Sequence, residues 1–294
     1  MSISRQNLTI IIVTFKSENV IHQCIQSIGS DIQIIIVDNS NDNEFKHSIE
    51  KKYKNVSCLL SKHNLGMGAG NNLGIANVKT DFAFILNPDV ILEKNAIDEL
   101  ILASRDLDSF GLLAPINIDQ NYPNYKKNNK NDSFDEKPNE AKSVDGYAMV
   151  LNLKRLNLIR DFNYFDENFF MYLENDDLCM RIKNENEKIF VIPKSKIHHL
   201  GGKAVNENFK DEIELSRNWH WIWSKFYYNK KHRGYLIALI DGFPIFLSAI
   251  LKFLFYSIIR NKKKKEIYLH RLLGYFNAAA GRKSYYRPNL KTND

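Results

Sequence analysis

Cysteine is scarce: the 294 residues contain three, Cys24, Cys58 and Cys179, an odd number, widely spaced and set among apolar neighbours. That pattern excludes a disulfide framework and any cysteine-based metal cluster, and predicts buried thiols in a reducing compartment. The N-terminus offers only the short apolar run Ile10–Val13 and no small-residue cleavage site, so no signal peptide is expected. No internal repeat is present. The positive excess is modest, 41 Lys and Arg against 34 Asp and Glu, a net +7. It is not laid out along a groove-like pattern, so nucleic acid is not an expected partner. It gathers instead at Lys262–Lys265, directly after an apolar stretch, which points to an anionic membrane surface. With 44% hydrophobic and 26% charged residues, the chain is expected to fold rather than stay disordered.

The stretch that organises the chain is D-F-A-F-I-L-N-P-D-V, Asp81 to Val90. Phe82–Leu86 reads as a buried strand that Pro88 stops, since proline has no N–H for a ladder. Asp89 then lies beyond the C-terminal end of a strand, where open α/β sheets bind ligands. A carboxylate there suits Mg²⁺ or Mn²⁺ shared with substrate phosphates, and can equally cap the next helix. Before it, strands are predicted at Leu8–Thr14, Ile32–Val37 and Val56–Leu60, with helices between them. A helix near Lys94–Ser104 and a strand near Phe110–Ile118 follow. This alternation predicts an α/β fold with a mostly parallel sheet flanked by helices. The polar segment Asp119–Lys142 reads as a mobile loop, either a solvated insertion or a lid over an acceptor. Val144–Leu151 reads as one strand, and Ile189–Ile192 as another.

The C-terminal part changes character. Trp219, Trp221, Trp223, Phe226, Tyr227 and Tyr228 crowd together, and Tyr235–Ile259 is apolar, long enough to cross a bilayer as a helix. Asp241, Gly242, Pro244 and Lys252 interrupt it, so an interfacial or re-entrant helical pair is expected rather than a clean span; the alternative is a buried hairpin of a soluble protein. The division expected is a catalytic domain at 1–210 and an aromatic, apolar and basic helical membrane-association region at 211–294.

Eight motifs stand in order: V-T-F at Val13–Phe15, C-I-Q-S at Cys24–Ser27, I-V-D-N-S at Ile36–Ser40, N-L-G-M-G-A-G-N-N-L-G at Asn64–Gly74, N-P-D-V at Asn87–Val90, F-D-E-N-F-F-M-Y at Phe165–Tyr172, E-N-D-D-L-C at Glu174–Cys179 and H-L-G-G at His199–Gly202. The set resembles the inverting GT-A glycosyltransferases of family 2, in particular the rhamnosyltransferase-like branch, over roughly Leu8 to Ala204. The resemblance implies a nucleotide-sugar donor, dTDP- or UDP-linked, with Asp38 accepting a hydrogen bond from the base and Thr14 and Asn87 also on the donor side. Asn64 and Asn72 would offer amides. Gly66 and Gly70 let the backbone approach the diphosphate before a helix N-terminus. Asp89 is the last acid of the motif written D-x-D, whose first acid is Asn87 here. With His199 it is the expected divalent-metal site, Mg²⁺ or Mn²⁺; His198 is the spare imidazole.

Proton removal from the acceptor falls to the acidic cluster Glu174, Asp176 and Asp177. The family form E-D-x-D-L has an acid where this chain has Asn175, so Glu174 and Asp177 are preferred and Asp176 comes third. Helix-dipole stabilisation is the plainer role for Asp176 and Asp177. The expected reaction is inverting transfer of a sugar, with rhamnose or a related deoxyhexose as the first choice, onto a lipid-linked glycan at the cytoplasmic face of the cell membrane, in polysaccharide biosynthesis. Two alternatives stand beside it. A nucleotidyltransferase predicts a basic Gly-rich loop after the first strand, where Thr14–Ser17 has no glycine. A membrane-bound scaffold with a degenerate site would bind no nucleotide sugar.

Overall fold

The computed structural model describes residues 2–119, 121–129, 136–201 and 209–288. Packing divides the chain into two units. The first comprises Met1–Asp166 and Asn175–Asn206, the second Glu167–Glu174 and Glu207–Asp294.

In the first unit the elements run β1 (Leu8–Thr14), α1 (Glu18–Ile28), β2 (Gln33–Asp38), α2 (Asn43–Lys52), β3 (Val56–Leu60), α3 (Met67–Ile75), β4 (Phe82–Leu86), β5 (Val90–Leu92), α4 (Ala96–Arg105), β6 (Leu112–Asn117), β7 (Tyr125–Lys127), β8 (Asn139–Val144), β9 (Ala148–Asn152), α5 (Leu153–Leu156), α6 (Glu174–Asn184) and β10 (Ile189–His199). The first residue of α6, Glu174, belongs to the second unit. The strands form one sheet in the order β3-β2-β1-β4-β9-β6-β10-β8-β7, with β5 paired to β10. All seven residues of β1 are buried. Alternate side chains serve opposite faces: Ile10 and Ile12 join Ile34, Ile36 and Phe84 in one core, while Ile11 joins Ile85 and Leu112 in the other. Burial on both faces accounts for the unbroken apolar runs of β1 and β4.

The parallel part of this α/β sheet is β3, β2, β1 and β4, with β10 parallel to β6. Strand β9 runs antiparallel to both β4 and β6. Three expectations need correction. Val144–Leu151 is two strands, β8 and β9, because the chain turns through Asp145–Tyr147. The segment expected to be a mobile loop contributes two strands instead: β7 pairs antiparallel with β8, Tyr125 opposite Val144. Phe134 and the neighbouring residues 130–135 lie outside the described residues. Strand β10 continues past Ile192 to His199, with a register shift between Ile192 and Lys196.

The second unit contains α7 (Lys210–Arg233), α8 (Tyr235–Ile258) and α9 (Lys262–Ala279). Its core joins Trp219, Trp223 and Phe226 of α7 to Ala238 of α8 and Tyr275 of α9. Helices α7 and α9 meet closely at Gly274, where an added Cβ would lie 2.4 Å from the Trp219 carbonyl oxygen. Helix α8 is a single helix that runs through Gly242 and Pro244, not a broken pair. Its outer side carries Leu236, Ile240, Phe243, Leu247, Leu251 and Leu254, all exposed, with Leu236 at 74% and Ile240 at 70%.

Candidate functional site

The parallel strands β1, β2 and β4 end side by side, and their last residues begin the site. Thr14 and Asp38 are register partners. The Thr14 hydroxyl donates to Asp38 Oδ1 at 3.0 Å, and the Asp42 backbone N–H donates to Asp38 Oδ2 at 3.0 Å. Asp38 is 2% exposed, so two bonds fix its carboxylate while lone pairs remain on each oxygen. Next to it, the Asn39 amide ties down the glycine-rich turn: it donates to the Gly66 carbonyl and accepts from the Leu65 N–H. Asn64 Oδ1 accepts from the Gly66 N–H at 3.0 Å, closing a local turn. Gly66 has φ 84°, a left-handed conformation that favours glycine, and caps α3. The N-terminal N–H groups of α3 therefore sit at a rim shared with Asp38, an arrangement suited to phosphate.

Glycine also sets how closely α3 lies on β1. A Cβ on Gly70 would stand 2.9 Å from a Val13 methyl, and one on Gly74 would stand 2.5 Å from Ile11. Asn72 is engaged elsewhere. Its amide accepts from the Phe165 N–H at 3.0 Å and donates to the Phe165 carbonyl at 2.9 Å. It clips α3 to the chain before α6, a role that the expected donor contact did not foresee.

The second part of the site follows β4. The Asn87 N–H donates to the Tyr147 carbonyl, so the turn between β8 and β9 lies against the β4 terminus. Strand β5 pairs with β10, His199 opposite Val90, and the Leu200 N–H donates to the Asp89 carbonyl. This brings His199 Nε2 to 3.5 Å from Asp89 Oδ1. The ring of His199 stacks on Tyr147 with centroids 4.0 Å apart. Strand alternation sends the neighbouring His198 elsewhere, to Glu93. Asp89 is 2% exposed. Asn87 Oδ1 and Asp89 Oδ1 are buried with no hydrogen-bond partner.

Unpaired buried oxygens are costly, and a cation would satisfy them. A carboxylate, an amide oxygen and an imidazole fit Mn²⁺ or Mg²⁺. Among the described residues, no cluster of three or more His, Cys, Asp or Glu could hold a metal by itself. The remaining ligands would be phosphate oxygens and water, as is usual for such ions.

The acidic cluster divides by environment. Asp177 is fully buried and paired with Arg181 Nε at 2.8 Å, while the guanidinium also reaches the carbonyls of Asn163 and Tyr164. Its carboxylate anchors α6 and does not meet solvent. Asp176 pairs with Lys126 at 2.7 Å. Glu174 is the first residue of α6 and is 8% exposed. Asn175 donates to the Val144 carbonyl at 2.8 Å, fixing α6 to the end of β8.

Asp145, next in the chain after Val144, is a residue that sequence reasoning missed. Burial pushes its carboxyl above the usual range, and the nearby Asp176 adds to the effect, opposed by Lys126 and His199. A lone acid inside a segment that reads as one continuous strand gives no signal beyond the adjoining Gly146.

The glycosyl transferase family 2 model matches residues 9–171, more than half of the chain and most of this rim. The chain belongs to glycosyl transferase family 2. It is 27% identical over 202 residues to the low-salt glycan biosynthesis hexosyltransferase Agl10 of Haloferax volcanii, covering 62% of this chain and 64% of that protein. It is 28% identical over 104 residues to the poly(ribitol-phosphate) beta-N-acetylglucosaminyltransferase TarP of Staphylococcus aureus, 32% of each chain. The chain thus spans under two thirds of the length of either relative. Among solved structures, the mannosyltransferase PcManGT from Pyrobaculum calidifontis, in complex with GDP-Man and Mn²⁺, superposes with a TM-score of 0.55 at 10% identity, over 94% of this chain and 86% of that one. S. aureus TarS 1-349 superposes with a TM-score of 0.52 at 15% identity, over 95% and 93%. These likenesses show the GT-A type of fold for this member of family 2.

Proposed function

We propose that the protein is an inverting, divalent-metal-dependent glycosyltransferase that takes a sugar from a nucleoside-diphosphate donor to a lipid-linked glycan. The observation that carries this reading is the pair of orphaned buried oxygens, Asn87 Oδ1 and Asp89 Oδ1, beside His199. They call for a cation at the strand ends where the family binds its donor. Asp38, held by Thr14, receives the base. The Gly66–Gly70 turn and the α3 N-terminus face the diphosphate. Asn64 shapes that turn.

Asn87, Asp89 and His199 would hold Mn²⁺ or Mg²⁺; when bound, such an ion supplies Lewis-acid neutralisation of the diphosphate leaving group. Glu174, at the start of α6, accepts the proton of the acceptor hydroxyl as its oxygen attacks the anomeric carbon opposite the departing diphosphate. Asp177 holds α6 through Arg181, and Asp176 supplies charge next to Lys126. The ordered motifs make a dTDP- or UDP-linked donor, with rhamnose or a related deoxyhexose, the first to try; the named relatives extend the choice to other hexoses.

The apolar outer side of α8, with Arg233 before it and Lys262–Lys265 after it, supports action on an anionic membrane surface at the cytoplasmic face. Helix α9 packs against α8 and carries Lys262–Lys265, His270 and Arg271, which favours an α8 lying in the interface over one that spans.

The test is nucleotide release from a panel of nucleoside-diphosphate sugars with Mn²⁺ and polyprenyl-linked acceptors, with the product's anomeric configuration read by NMR. Release with inversion, lost in Asp89→Ala, supports the proposal. Release equal in Asp89→Ala, or retained configuration, contradicts it.

A further inference from the structure

Glu167–Glu174, the seven residues before the acid-bearing helix together with its first residue, belong to the same packing unit as the C-terminal helices, whereas the residues on either side of them in sequence belong to the other. They are gripped along one face of α7. The Ser224 hydroxyl donates to the Met171 carbonyl at 2.7 Å. Buried Phe169 meets Tyr227 edge-on, with centroids 4.9 Å apart. Buried Phe170 lies 4.6 Å from the His220 ring and 3.8 Å from the Arg287 guanidinium. Residues 220, 224 and 227 recur at helical spacing, so the grip is one continuous stripe. Tyr172 meets Trp221 edge-on at 5.4 Å.

The chain then enters α6 by a route that ordinary side chains avoid. Tyr172 has φ 71° and Leu173 has φ 65°, two consecutive non-glycine residues in the left-handed region. Each is disfavoured by contact between Cβ and the backbone, and such residues persist only where surrounding contacts impose them. Glu174 follows directly.

We infer that α7 is a positioning device for Glu174: Ser224, Tyr227 and His220, with Arg287, impose the strained Tyr172–Leu173 entry and thereby set how the chain reaches Glu174. The C-terminal unit on this view serves the chemistry as well as the membrane. The catalytic half of the inference rests on the proposed role of Glu174; the grip itself does not.

The experiment combines hydrogen exchange over residues 168–177 with kinetics of nucleotide release and calorimetry of UDP or dTDP with Mn²⁺, on the full chain. In Ser224→Ala, and separately in the partly exposed Trp221→Ala, exchange in that segment should rise about tenfold. The kcat should fall about ten- to a hundredfold, because small displacements of a reacting group are that costly. Nucleotide Kd should stay within about twofold, as expected when ground-state binding is untouched. Adding Leu173→Gly to Ser224→Ala should restore much of kcat, since glycine takes this φ without strain. Exchange equal to wild type, or Kd rising in step with the loss of kcat, overturns the inference. A wild-type protein that releases nucleotide from no donor overturns the transferase reading instead, and the exchange result then decides the grip alone.

Discussion

His199 Nε2 stands 3.5 Å from Asp89 Oδ1, brought there by strands that are adjacent in space and more than a hundred residues apart in sequence. The stack of His199 on Tyr147 holds the ring in that place. His199→Ala should weaken Mn²⁺ binding in the presence of nucleoside diphosphate and lower kcat by roughly ten- to a hundredfold, the scale at which groups supporting a metal act. His198→Ala, whose ring goes to Glu93, should leave both unchanged. Metal titration of the two variants checks this.

Thr14→Val keeps the shape of the β1 terminus and deletes the hydroxyl that orients Asp38. One hydrogen bond to a charged group contributes about 1.5–3 kcal/mol. Nucleotide Kd, read by calorimetry, should therefore rise by roughly tenfold to a hundredfold, with the metal requirement unchanged.

The Asp145 carboxyl is raised by burial, with Asp176 adding to it. A carboxyl whose folded pKa is raised binds protons more readily in the native state, so its favourable contribution is present below the ordinary carboxylate pKa and is lost as pH rises through the raised value. At neutral pH the ionised group works against folding. Asp145→Asn should thus raise Tm in metal-free buffer at pH 7 to 8, and the gain should shrink as pH falls toward about 4, the ordinary carboxylate range. Thermal unfolding across that pH series is the measurement.

Gly74→Ala places a methyl 2.5 Å from the Ile11 side chain, in a strand fully buried on both faces. Ile is stiff at χ1 and cannot swing aside. The substitution should cost about 1–3 kcal/mol in denaturant unfolding.

Leu247 and Leu251 lie on the exposed side of α8 at 44% and 59% exposure, so charging them disturbs no core. The double variant Leu247→Glu, Leu251→Glu should lose vesicle binding by at least roughly a hundredfold, at about 1.5–3 kcal/mol per buried leucine, while its melting temperature holds. Flotation with phosphatidylglycerol-containing vesicles reports the first and calorimetry the second.

Much of the rim was legible because its signals are local. Phe82–Leu86 stopped by Asn87-Pro88-Asp89 announces a strand end with an acid just beyond it, and Ile32–Val37 followed by Asp38 does the same, although both acids are buried at 2% exposure and not turned outward. What local pattern could not show are pairings across long separations. Asn72 reads as a ligand amide until Phe165, 93 residues on, claims both of its polar groups. The i,i+4 spacing of Asp177 and Arg181 is itself local, but it does not show that the same guanidinium reaches the carbonyls of Asn163 and Tyr164 or that Asp177 is fully buried. Asp145 was hidden because the strand signal of β8 and β9 ran together across it. Pro244 marked a break that does not occur: its missing N–H removes one intrahelical bond, while packing of Ala238, Ile245 and Phe246 with Trp219 and Tyr275 carries α8 through.

Asp89 stands at the centre of this reading, as part of a cation site shared with a nucleoside diphosphate. Calorimetric titration of UDP and dTDP into the protein, with Mn²⁺ and with EDTA, tests that most directly. Binding in Mn²⁺ should weaken by several kcal/mol, roughly a hundredfold or more, on chelation or in Asp89→Ala. Equal nucleotide affinity with and without the metal, unchanged in Asp89→Ala, would contradict it.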